Sequence, residues 1–184
     1  MKALDVLHSR NSAPRLTEPA PSAGQLDQIY RAAMRAADHG LLRPWRFVAI
    51  QGDSRKRLGE LFRAAALQEN PDLSAAQQEK LSNKPLRAPL IIVTISSPKE
   101  HPKVPAFEQD LATAAATQNM LNAAYAINVG AMWRSGSQAY HKTVMQGLGL
   151  AEHEKIIGFL YLGTLLGDAK PSPDTDYSEL ISEW

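Results

Sequence analysis

The sequence has no cysteine in its 184 residues. That excludes disulfides, thiolate nucleophiles and cysteine-ligated metal, and it suits a reducing compartment. An excess of charge of one sign is also missing. Twenty Lys and Arg stand against 19 Asp and Glu, for a formal net charge of +1. The two signs are interspersed, so no basic stripe fits a nucleic acid and no basic amphipathic helix fits a membrane surface. An acidic ligand would have to be held by a few placed cations, not by the field of the whole protein. Long apolar runs are absent as well. The stretch from Ile156 to Leu166 is broken by glycines and is too short to cross a bilayer. Near the start, Asp5 and the polar break at Ser9-Arg10 leave no room for a secretory apolar core. The expectation is a cytoplasmic protein with no nucleic-acid or membrane partner.

Familiar site motifs are lacking too. There is no glycine-rich dinucleotide fingerprint and no phosphate-binding P-loop. No His-x-x-x-His pair or carboxylate cluster marks a metal site, and no Gly-x-Ser-x-Gly elbow marks a hydrolase nucleophile. No metal and no catalytic side chain is expected.

What is present is an ordinary globular composition, 44% hydrophobic and 21% charged. This is enough for one domain over residues 1–184. Ala3 to Arg10 carries a short helical stripe. Ser22 and Gln25 form a capping-box pattern for a second helix that should run to about Asp38, closed by Gly40. Trp45 to Gln51 reads as a strand, and the segment from Asp53 or Ser54 to Leu67 as a helix. Asn70 to Lys84 is polar and is the best candidate for a mobile insertion, with a helix starting at Ser74. Ala88 to Ile95 is a nearly continuous apolar run, the pattern of a strand buried on both faces. Phe107 to Asn128 is the longest helical pattern. A strand at Ala131 to Arg134, a helix at Tyr140 to Leu148 and a strand at Ile156 to Leu162 follow, the last ended by Gly163-Thr164. Helices and strands do not alternate regularly, so the fold class is α+β, a small sheet wrapped by helices. Residues 170–184, with Leu180, Ile181 and Trp184, read as an arm that embraces a partner subunit.

Three polar clusters lie at element ends. Arg10-Asn11-Ser12 offers a bidentate cation and short hydroxyl and backbone donors, which a phosphate needs. Arg35 to Trp45 brings an Arg, a His and a Pro-Trp turn together. Gly130 to Gly136 sets Trp133, Arg134 and Ser135 after a strand. Each alone is also what a solvated helix end or a salt-bridged strand end looks like.

In this order, the clusters resemble the nitroreductase family, in particular its short branch of NAD(P)H nitroreductases. That branch opens on Arg-Arg-Ser, matched by Arg10-Asn11-Ser12. It continues with Arg-Ala-Pro-Asp-His and Pro-Trp-x-Phe, matched by Arg35 to His39 and Pro44 to Phe47. Arg87 to Ile92, Lys103-Val104-Pro105, Trp133 to Gly136 and Lys155 to Thr164 are similar as well. Asn11 stands where the family has a second Arg, and Ala37 where it has Pro.

The resemblance implies a nitroreductase-like fold with a mixed or antiparallel sheet. It also implies an intertwined homodimer with FMN at the subunit interface. Arg10, Asn11, Ser12 and Arg134 would then meet the FMN phosphate and ribityl chain, helped by the Trp133 backbone and the Ser135 hydroxyl. Arg35 and His39 would approach the flavin, His39 from the other subunit, with Leu41 and Trp45 near the ring. The end of the long helix, Ala123, Ala124, Tyr125, Ala126, Ile127 and Asn128, would border NAD(P)H. The chemistry would be the cofactor's own, with NAD(P)H delivering hydride and a small electron-poor acceptor, such as a nitroaromatic or quinone, reduced in turn. Other readings remain open at this level. They are another flavin reaction of the family such as flavin fragmentation or dehalogenation, a non-catalytic FMN-binding or redox-sensing module, and a domain that binds no flavin.

Overall fold

The computed structural model describes residues 2–167 and 176–184. Its centre is β3 (Leu90–Ser96), buried along its whole length. Side chains alternate across a strand, and β3 uses both faces. Ile91, Val93 and Ile95 enter one apolar cluster; Leu90 and Ile92 enter another on the opposite face. β5 (Lys155–Leu165) does the same, sending Ile156, Phe159 and Tyr161 one way and Leu160 and Leu162 the other.

β3 pairs with β2 (Trp45–Gln51) on one side and β5 on the other, and β5 also pairs with β4 (Gly130–Arg134). A two-residue strand, β1 (Leu16–Thr17), pairs with the end of β5 through Leu16↔Leu165 and Thr17↔Thr164. Every pairing is antiparallel, so the α+β class holds and the sheet is antiparallel throughout the described residues. β5 runs through Gly163 and Thr164 instead of ending there. Gly163 faces Gly130 of β4, and a Cβ on it would press into the Pro89 ring and the Thr17 carbonyl. The glycine permits close approach of neighbouring segments and does not break the strand.

Helices cover both faces. On one side α2 (Ala23–Ala33) packs with α5 (Ala106–Ala126), burying Ile29, Ala33, Ala116, Met120 and Ala124. The small residues of α5 allow that close packing. On the other side α3 (Ser54–Glu69) sets Leu58 and Phe62 on the sheet, and Phe62 meets Phe159 edge-on at 5.3 Å. α4 (Ala75–Ser82) packs along α3, its Ser82 carbonyl seated against Gly59. The 70–84 segment is therefore a capped helix plus a turn. Ser22–Gln25 and Ser74–Gln77 both form capping boxes.

Two helices also differ from the expectation. α2 ends at Ala33, five residues before Asp38, where the Asn119 amide donates to the Ala32 carbonyl at 3.2 Å. The expected helix at 140–148 is two helices, α6 (Ser137–Tyr140) and α7 (Lys142–Gly147). His141 separates them in an extended conformation and caps α7, its Nδ1 accepting from the Thr143 N–H. A short α1 (Ala3–Ser9) starts the chain.

Buried polar side chains tie the 97–105 loop to α5. The Gln109 amide donates to the Lys99 and Val104 carbonyls and accepts from the Lys99 N–H. Thr113 donates to the Pro44 carbonyl at 3.1 Å, which fixes the entry to β2. No described helix is long and apolar enough to cross a membrane. Of the expected arm, residues 170–175 lie outside the described residues; 176–184 expose Leu180, Ile181 and Trp184.

Candidate active site

After α1 the chain runs past the C-terminal end of α5 and the start of β4. The Ala13 N–H donates to the Ala131 carbonyl at 2.9 Å, which pins this segment to β4. Between them opens a cleft of about 810 Å³. Asn11, Ser12 and Arg15 line one wall, Tyr125, Asn128 and Gly130 another, and Thr164 to Leu166 a third. Asn128 reverses the chain after α5 in a left-handed conformation (φ 58°), which Asn tolerates better than most residues.

Two smaller clefts of about 330 and 450 Å³ share Arg87 and Arg134. The first is lined by Lys84, Arg87, Trp133, Arg134, Ser135, Gln138 and Tyr161. The second adds Arg15, Pro14 and Leu166. Neither lining contains a carboxylate. Four cations thus line these two clefts, with no acid beside them among the described residues.

Their electrostatics show the strain. Burial, then the charge of Arg87, then Lys80 and Arg134, push the Lys84 amine below its ordinary value. Burial and Arg87 do the same to Arg134. Burial drives the Tyr161 phenol up to about 12, with Arg134 and Arg87 opposing. The Arg134 guanidinium lies 5.4 Å from the Tyr161 ring centroid, within cation–π range, and donates to the Pro14 carbonyl at 3.4 Å. Its Nε is buried and has no partner among the described residues. A buried donor without an acceptor costs about 1–3 kcal/mol, so an acceptor supplied by an anionic ligand would relieve both the orphan and the repulsion.

Trp133 is held on the sheet. Its Nε1 donates to the Ile157 carbonyl at 3.3 Å, and the ring occupies the space a Cβ on Gly158 would need. Its side chain packs against the core beside Ala131 and Leu160, and both Trp133 and Ser135 line the cleft.

The residues expected from sequence separate into groups. Asn11 and Ser12 line the large cleft; Trp133, Arg134 and Ser135 line the adjoining one. Arg10 lines none of these clefts and serves as the C-cap of α1. From the α5 end, Tyr125 and Asn128 reach the large cleft, whereas Ala124 is fully buried core and Ala123 and Ile127 pack against that core; Ala126 lines no cleft. Arg35, His39 and Leu41 lie on the surface outside all three clefts, and Leu41 is 79% exposed. Arg15, Lys84 and Arg87 carry no site signal in the sequence. Arg15 follows Ser12 by three residues, and Lys84 and Arg87 stand one turn apart just before β3, so their spacing was visible but their convergence was not.

The sequence model of the Nitroreductase family matches residues 8–164. The Escherichia coli K12 protein named "Putative NAD(P)H nitroreductase YdjA" is 43% identical over 164 residues, 89% of this chain and 88% of that one. A nitroreductase-like family protein from Bacillus cereus has a solved structure with a TM-score of 0.86 at 25% identity, covering 100% of this chain and 96% of that one. A "putative nitroreductase in complex with fmn" from Desulfovibrio desulfuricans shares the fold, with a TM-score of 0.74 at 22% identity over 100% and 97% of the two chains. The chain belongs to the nitroreductase family, a family of oxidoreductases.

Proposed function

We propose that this protein is an FMN-dependent oxidoreductase that takes hydride from NAD(P)H and reduces small electron-poor acceptors, such as nitroaromatics or quinones, with donor and acceptor using one site in turn. The observation that carries the reading is the cluster of Arg15, Lys84, Arg87 and Arg134, free of acid among the described residues, with a buried Arg134 Nε that has no partner among them. A flavin phosphate fits this donor set, because guanidinium forks match phosphate oxygens. FMN when bound supplies the redox chemistry, and the chain supplies binding, orientation and charge.

Ser12 and Arg15 would hold phosphate or ribityl oxygens from the first wall, and Arg134 from β4. Lys84 and Arg87 present positive charge to negative charge developing on the bound cofactor; in a partly buried site this counts for more than in water. Tyr125 and Asn128 border the larger cleft on the side assigned to the donor. The resemblance of the FMN-complexed neighbour in fold and the NAD(P)H in the E. coli relative's name support this assignment.

The same reading makes the protein a homodimer. Apolar side chains stand exposed on α1 (Leu4, Leu7), on α5 (Phe107, Leu111) and in the tail (Leu180, Trp184), and a partner would cover them. His39 and Leu41 would then reach the partner's cofactor. The test is the visible spectrum of the purified protein before and after NADPH is added without oxygen. A yellow protein that bleaches is expected. A protein that stays colourless after incubation with FMN would overturn the reading.

A further inference from the structure

The loop that carries His39 is held more firmly than an exposed turn requires. Between Asp38 and Pro44 three residues have positive φ: Gly40 at 77°, Leu41 at 53° and Arg43 at 48°. For Leu and Arg that region is sparsely allowed and persists only when surrounding contacts impose it. Those contacts are present. The Asp38 carboxylate accepts from the Arg43 N–H at 2.7 Å, and the Lys99 ammonium donates to the Leu42 carbonyl at 2.6 Å. The Pro44 carbonyl accepts from both Ser97 N–H and Thr113. Across 69 residues of sequence, His39 Nδ1 meets the Glu108 carboxylate in the first turn of α5 at 2.8 Å.

A surface contact of this kind is worth little in stability, so this one is better explained by what it does to the imidazole. A carboxylate only accepts, so this contact favours the proton on Nδ1 and leaves Nε2 as the lone-pair nitrogen. We propose that Glu108 is a positioning residue: it fixes the tautomer and direction of His39, and the loop thereby presents Nε2 and Leu41 in a set geometry to the cofactor of a second copy. This rests on the functional reading above.

The test uses the full-length chain stripped of flavin, with Glu108→Ala, Glu108→Gln, His39→Ala and the Glu108→Ala/His39→Ala pair. Two quantities are read, the FMN dissociation constant from quenching of flavin fluorescence and the imidazole 15N spectrum of His39. Glu108→Ala should weaken FMN about fivefold, and Glu108→Gln, whose amide oxygen still accepts from Nδ1, should recover most of that. In the His39→Ala background Glu108→Ala should add less than about twofold, the coupling expected of residues in contact. The 15N spectrum should move from Nδ1 protonation to the mixed tautomers of a solvated imidazole in Glu108→Ala alone. An equal loss in both backgrounds, as from a weakened α5 end, or an unchanged His39 spectrum would overturn the proposal. If the unsubstituted chain does not quench FMN, the functional reading falls and this proposal with it; if it quenches normally and the variants are additive, this proposal alone falls.

Discussion

Arg134 contributes one guanidinium to two adjoining clefts, and its environment makes it the most diagnostic residue of the site. Its buried Nε lacks a partner among the described residues, and Arg87 lies close enough to disfavour its charge. Arg134→Ala should therefore weaken FMN by roughly 10- to 100-fold, the effect of losing a charge-assisted bond of about 1.5–3 kcal/mol. The fold should survive, because the repulsion with Arg87 and Lys84 is removed as well; titration of flavin fluorescence against unchanged far-UV circular dichroism checks both halves. Arg10→Ala, by contrast, should change FMN affinity less than Arg15→Ala, since Arg15 lines two of the clefts and Arg10 none. The reverse ranking in the same titration would return the role to Arg10. Gly158→Ala tests packing instead of charge. The added methyl collides with the Trp133 indole, and overpacking of this kind costs about 1–3 kcal/mol, to be seen as a lower denaturation midpoint.

Among the elements, β5 organises the site because it pairs with β1, β3 and β4. Its entry is anchored by Arg46 of β2, which donates through Nε and Nη2 to the two oxygens of the nearly buried Glu154, both at 2.6 Å. The Arg46 hydrogen bond is the chief cause that holds the Glu154 carboxyl down from 4.5 to about 2, with the Ala151 N–H assisting and burial opposing. A carboxylate with a depressed value in the folded state stabilises fully above its unfolded value and loses that contribution as pH falls through the folded one. Acid unfolding should thus include a component from Glu154 between about pH 4.5 and 2. Glu154→Gln should flatten the dependence of the melting temperature on pH in that window. Much at this scale was visible in the sequence. The period-free apolar run at 88–95 marked the central strand, and Ser22-x-x-Gln25 marked a helix start. The two-residue β1 was not visible, because it has no pattern of its own and exists only where the end of β5 offers unpaired backbone. The split at His141 was hidden for a similar reason, since apolar spacing continues across a break made by local capping.

For the whole molecule, exposed Leu4, Leu7, Phe107, Leu111, Leu180 and Trp184 predict association. Light scattering at micromolar concentration should give twice the 20.1 kDa chain mass. Removing residues 176–184 should shift that mass toward one chain upon dilution, and a truncated form as tightly dimeric as the full chain would relieve the tail of its role as an arm.

Residue order alone determined the α+β class, the central strand, most helix ends and the family, because periodicity and caps are local and because the motifs keep their order along the chain. It also marked three polar clusters at element ends, Arg10 to Ser12, Arg35 to Trp45 and Gly130 to Gly136. Only the tertiary structure decided that Arg15, Lys84 and Arg87 line clefts shared with Arg134, while Arg10 lines none of them and Ala124 packs in the core. Those assignments depend on which segments the sheet brings side by side, and pairing between residues a hundred or more positions apart leaves no trace in local spacing.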